Sequence, residues 1–167
     1  ASIMIMDEGM DSGDILLQEE SPLGPTETFG ELHDRLAQRG AQLLINTIEQ
    51  IMNKTAKRQS QDVSGVTFAP LLKKETAKIN WNNKVADIVN LIRGLSPAPA
   101  AHTTLAGQPL KVFTAVAGEG EIHQPPGTII EAGAEGLSVA ASDAYVILKE
   151  IQPAGKKRMP VSDFLRG

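Results

Sequence analysis

Cysteine is absent from all 167 residues, so disulfides and thiolate nucleophiles are excluded, a zinc site is not expected, and the cytoplasm is the expected compartment. Aromatic residues are scarce at 4%, with one Trp, one Tyr and four Phe. So few and so dispersed, they make no stacking platform for single-stranded nucleic acid, and Trp81 is expected to pack between domains. No apolar run reaches the ~18 residues of a membrane span, and no basic stretch precedes a signal-type apolar segment at the N-terminus. Histidines His33, His102 and His123 lie far apart without ligand spacing, and surface or structural roles are expected for them. No phosphate loop and no Gly-x-Ser-x-Gly elbow occurs, so nucleophilic catalysis by serine has no support.

What is present is a chain with 41% hydrophobic residues, enough for a buried core in one domain or two small ones. It begins at Ala1 inside a strand-like run, "SIMIM", which suggests a piece of a longer protein; removal of a methionine before alanine is the alternative. The net charge of −4 conceals an asymmetry. Residues 1–60 carry ten acids and five bases, whereas residues 61–167 carry ten acids and eleven bases. Lys73, Lys74, Lys78, Lys84 and Arg93 face only Glu75 and Asp87 in their neighbourhood, and Lys156, Lys157 and Arg158 are consecutive. A polyanionic partner is one reading of these clusters; an ordinary solvated face is the other.

The pattern along the chain divides it. "SIMIM" and "DILLQEE" read as two strands around an acidic loop. Thr28 and Glu31 have the spacing of a capping box, and Phe29, Leu32, Leu36, Leu43, Ile48 and Ile51 recur at helical spacing to about Met52, closing an α/β unit. Residues 53–65 are polar and aperiodic, as in a linker or surface loop. A second helix is expected after Asn82 as cap, with Val85, Ile88, Val89 and Ile92 on one face and Gly94, Pro97 and Pro99 ending it. Beyond Pro99 the period changes to alternation in "GQPLKVFTAVA", "GTIIEA", "GLSVAA" and "AYVILKEIQ", the pattern of a small barrel or sandwich, and "PVSDFLRG" closes with a short helix.

The stretch "MDEGMDSGD", Met6 to Asp14, crowds four acids and two glycines behind a strand. A helix-loop-helix calcium loop counted from Asp7 fails at its third position, Gly9. An exposed loop at a strand end suits a ligand, and glycine allows close backbone approach or positive φ; an acid held there is placed for proton traffic. An acidic surface turn remains the competing reading.

"MDEGMDSGDILLQEE" resembles the Asp-x-Gly-x-Asp-x-Gly-Asp-hydrophobic segment of folate-dependent formyltransferases. "LHDRLAQRGAQLL", "FAPLLKKETAKINW", "LIRGLSPAPA", "GQPLKVF", "PGTII" and "QPAGKKRM" extend the likeness, in the same order, to the carboxyl-terminal part of the methionyl-tRNA formyltransferase family. One departure is "SPAPAAH", where that family usually carries a Trp-Pro pair. Another is the family's Asn-x-His pair and Ser-Leu-Leu-Pro turn, which lie upstream in relatives and do not occur in these residues, so the chain alone is expected to be inactive.

The resemblance implies an α/β plus β fold: the end of a Rossmann-like catalytic domain over residues 1–53, a linker over 54–74, and a small OB-type β-barrel over 75–167. It implies Asp11 as the catalytic carboxylate, and Asp7, Glu8, Gly9 and Gly13 around the folate donor, 10-formyltetrahydrofolate, with no metal. Asp7 and Asp14 are expected to satisfy local amides. Lys73, Lys74, Lys78, Lys84, Arg93, Lys111, Lys156, Lys157 and Arg158 are the implied contacts to the phosphates of methionyl initiator tRNA. A monomer is expected. A sugar-nucleotide formyltransferase and a non-catalytic RNA-binding module are the alternatives.

Overall fold

The structure, a computed structural model, describes residues 1–167. The chain divides into two compact units, one of residues 1–27 and 31–71, the other of residues 28–30 and 72–167.

In the first unit, β1 (Ser2–Met4) pairs antiparallel with β2 (Ile15–Gln18). The Ile5 amide donates to the Asp14 carbonyl at 2.9 Å, so residues 6–13 form the loop of a hairpin. This sheet has two antiparallel strands and no parallel ladder, so the Rossmann-like reading of residues 1–53 is not carried by it. Helix α1 runs Phe29–Met52, within the bounds its periodicity predicts. Of its expected apolar face only Leu43 is buried, Leu32 and Leu36 partly so, while Phe29, Ile48 and Ile51 are exposed. Arg35 anchors the segment before the helix: its Nε and Nη2 donate to the two carboxylate oxygens of Glu27 at 2.8 and 2.7 Å, and Nη2 also donates to the Pro22 carbonyl at 3.0 Å. Such a fork fixes direction as well as distance.

The stretch read as a linker is partly built into this unit. Gln59 exchanges backbone hydrogen bonds with Ile15 at 2.8 and 2.9 Å, which adds a third backbone to the hairpin's edge. Asp62 then caps a short 3-10 turn, Val63–Gly65, by accepting from the Ser64 amide and hydroxyl, and these bonds hold its carboxyl below the usual range. Local polar bonding of this kind leaves no apolar period to read.

In the second unit, helix α2, Val85–Leu95, sends Val85, Ile88, Ile92 and Leu95 into the core. Asn82 is not its cap: residue Lys84 occupies that position without a side-chain bond, and the Val85 amide donates instead to Asp143 Oδ1 at 2.8 Å. Asn80, Asn82 and Asn83 bond among themselves in the preceding turn. Strands β3 (Ala101–Leu105), β4 (Gln108–Gly118), β5 (Ile129–Gly133), β6 (Gly136–Ala140), β7 (Tyr145–Pro153) and β8 (Met159–Pro160) form one antiparallel sheet in the order β3-β4-β7-β6-β5, with β8 on β7. The order is open-ended, with β3 and β5 as its ends and no closed barrel.

Helix α2 packs against this sheet around Val112, Val146, Leu148 and Ile151, all nearly solvent-free. Consecutive residues Val112 and Phe113 are both buried because the β4–β7 register slips there, so alternation fails at a bulge. Trp81 packs on the same core and donates from Nε1 to Thr103 Oγ1 at 3.1 Å; its role lies inside this unit rather than between domains. The short helix α3, Val161–Arg166, follows β8 and buries Val161.

Candidate functional site

The acidic loop encloses an open pocket of about 500 Å3 lined by residues 4–13. Within it Asp7 folds back: its Oδ1 accepts the Gly9 amide at 3.0 Å and the Ser12 hydroxyl at 2.8 Å, the local role expected of an acid in a turn. Asp14 instead accepts from Ser60 Oγ at 3.0 Å, a partner 46 positions away rather than a local amide. Glu8 is exposed. Gly13 is buried, and a Cβ there would run into the Ile5 carbonyl oxygen, so glycine is required for the loop to close on its own stem. The positive φ that the glycines were expected to supply belongs to Asp11 itself, at 55°. Aspartate tolerates that region better than most side chains.

Asp11 is exposed, and its backbone is tethered. Gln61 Nε2 donates to the carbonyls of Asp11 and Gly13, both at 2.8 Å. Sequence reasoning missed Gln61 and Ser60 because they sit in the polar stretch taken for a linker, where no periodicity marks them. Met6 and Met10, 92% and 93% exposed, line the same pocket, so the loop offers thioether side chains to solvent as well as acids.

The second concave surface is a groove of about 570 Å3 in the second unit. Pro99, Ala100, Pro109, Leu110 and Pro153 supply much of its apolar lining, and Lys73, Lys74, Lys111 and His102 are the basic groups on it. No Asp or Glu lines it. It therefore brings together three of the nine predicted cations, and Lys156 follows its last lining residue, Gly155. Lys111 is exposed between buried Leu110 and Val112, as the alternation requires.

The other cations are placed differently. Lys78, Lys84, Lys156 and Lys157 are exposed outside the groove lining, and Arg93, in the last turn of α2, donates from Nε to Asn90 Oδ1 at 2.8 Å. Arg158 is occupied: its Nη2 donates to Glu150 Oε2 at 2.5 Å and its guanidinium lies 4.4 Å from the centre of the Phe113 ring. The bond from Arg158 holds the Glu150 carboxyl below its ordinary range, and Glu150 in turn raises the guanidinium. No group of three or more His, Asp or Glu side chains is placed to hold a metal ion.

Against known families, the formyl transferase C-terminal domain matches residues 71–167 and the formyl transferase domain matches residues 1–48. The chain belongs to the formyl transferase family. Methionyl-tRNA formyltransferase of Syntrophus aciditrophicus is 49% identical over 166 residues, covering 99% of the chain and 53% of the relative. That of Alkaliphilus oremlandii is 43% identical over 164 residues, covering 98% and 53%. The chain thus spans about half the length of these curated relatives. Among solved structures, HypX from Aquifex aeolicus in complex with tetrahydrofolic acid aligns with a TM-score of 0.74 at 15% identity, over 98% of the chain and 29% of HypX. The sugar 3N-formyl transferase WlaRD aligns with a TM-score of 0.64 at 18% identity, over 93% and 55%. At such identities the likeness is one of fold. In this formyl transferase, then, the two family regions correspond to the acidic loop with α1 and to the sheet unit with its basic groove.

Proposed function

We propose that the full-length protein carrying these residues transfers a formyl group from 10-formyltetrahydrofolate to the amino group of methionyl initiator tRNA in translation initiation. The observation that carries the proposal is identity of up to 49% running along 99% of the chain to relatives of that name, through the basic unit as well as the loop. A sugar-directed enzyme has no need of the basic groove.

On this reading residues 1–53 belong to a Rossmann-like catalytic domain, 54–74 to a linker, and 75–167 to an OB-type tRNA-binding domain. Lys73, Lys74 and Lys111 meet tRNA phosphates as positional anchors, and Lys78, Lys84, Arg93, Lys156 and Lys157 extend the basic surface. Arg158, held by Glu150, contributes least. The folate supplies the formyl carbon. A flat ring with donors and acceptors along its edge fits a loop of exposed main chain flanked by methionines, with Asp7, Glu8, Gly9 and Gly13 forming its frame. Asp11 accepts or relays the proton that the methionyl amine loses, and so acts as the catalytic carboxylate. The enzyme is a cytoplasmic monomer.

The experiment is formyl transfer by the full-length protein, wild type and Asp11→Asn, to methionyl initiator tRNA and to a nucleotide-linked amino sugar. Transfer to tRNA that falls on the order of 100-fold in Asp11→Asn is the expected result. Transfer to the sugar alone replaces the proposed acceptor, and a fully active Asp11→Asn returns the loop to an acidic turn.

A further inference from the structure

The segment after α1 bonds to the loop and to the start of the strand leaving it through three consecutive residues: the Gln59 backbone on Ile15 of β2, the Ser60 hydroxyl on Asp14, and the Gln61 amide on the Asp11 and Gly13 carbonyls. The last contact is chemically specific. A carboxamide nitrogen has two hydrogens, and Gln61 spends them on two carbonyls 2.8 Å away that can only accept. The first of those carbonyls belongs to Asp11 itself, whose φ of 55° is a conformation that costs energy and that neighbouring bonds offset. Gln61 bonds to the main chain and leaves the Asp11 carboxylate exposed.

The geometry points to Gln61 as a positioning residue for the reaction: its amide fixes the left-handed turn that presents the Asp11 carboxylate to the reacting amine. This rests on the reading of Asp11 as the catalytic carboxylate. Gln61 works through the orientation of the loop, not through contact with either substrate, and a displaced general base loses rate steeply.

The test is Gln61→Glu in the full-length protein, an isosteric change at a half-exposed position that turns the donor into an acceptor facing two carbonyls. A fall in kcat of about tenfold is expected, with the KM for methionyl initiator tRNA within about twofold of wild type. Added to Asp11→Asn, the change is expected to cost nothing further, because a positioning residue has no effect once the group it positions is gone. An unchanged kcat overturns the inference, and so does an equal fold-loss in the Asp11→Asn background, which marks a general structural role. Full activity of Asp11→Asn overturns the assignment of Asp11 and this inference with it. Should Gln61→Glu fail to fold, Gln61→Leu removes the donor without adding charge and carries the same comparison.

Discussion

Arg158 shows how one side chain can look like a phosphate anchor in a basic run and be committed elsewhere. Its neighbours Lys156 and Lys157 are exposed, whereas its own guanidinium is divided between Glu150 and the face of Phe113. Glu150 also accepts from Thr114 Oγ1 at 3.3 Å, so one carboxylate joins β4, β7 and the segment leading to β8. Arg158 and Glu150 remain 41% and 30% exposed at their side chains, which limits the pair to about 0.2–1 kcal/mol. The sign of its pH dependence follows from the depressed carboxyl. A carboxylate whose folded pKa lies below its unfolded one contributes fully above the unfolded value and loses that contribution as the pH falls through the folded one. Glu150→Gln is therefore expected to lower the urea midpoint near neutral pH, and the deficit is expected to shrink as the pH falls below the ordinary Glu range. Trp81, the only tryptophan of the chain, packs on the same core and reports the transition by fluorescence. A deficit that persists undiminished in acid assigns the loss to packing rather than to the ion pair.

Among the elements, α2 shows where sequence reading ended. Its apolar face was legible, since Val85, Ile88 and Ile92 fall at helical spacing and are buried. Its cap was not, because Asp143 lies in the turn between β6 and β7 and reaches the Val85 amide across 58 positions. Asp143→Ala is expected to cost about 1 kcal/mol and Asp143→Asn much less, measured by urea unfolding followed through Trp81. Equal losses in both variants would place the energy in the charge rather than in the capping bond. The strands divide in the same way. Four of them, β4 to β7, were visible as alternation between turn residues, but β3 was missed because its hairpin turn places Ala106 and Gly107 at φ 47° and 77°. Positive φ at both central residues usually announces itself as Asn-Gly, and alanine does not. In the loop, the motif singles out Asp11 as the proposed carboxylate, whereas the bonds that hold its backbone come from residues whose pattern carries no period.

For the whole molecule, a net charge of −4 has to be reconciled with the polyanionic substrate we propose. Separation does so: the excess of acids lies in residues 1–60, while the groove gathers Lys73, Lys74 and Lys111 without a carboxylate. Local field rather than net charge then governs association, and each cation that meets a phosphate releases about one counterion. Replacing the three groove lysines by alanine in the full-length protein is expected to raise the KM for tRNA and to flatten its logarithmic salt dependence by about two units, at ~0.7–0.9 per phosphate contact. Arg158→Ala, whose charge is already spent on Glu150, is expected to leave the slope nearly unchanged. Because a general loss of stability would change affinity without changing the slope, the salt titration separates a phosphate contact from a folding defect. A slope untouched in the triple variant removes the groove from the tRNA interface and leaves the exposed Lys156 and Lys157 as the next pair to titrate.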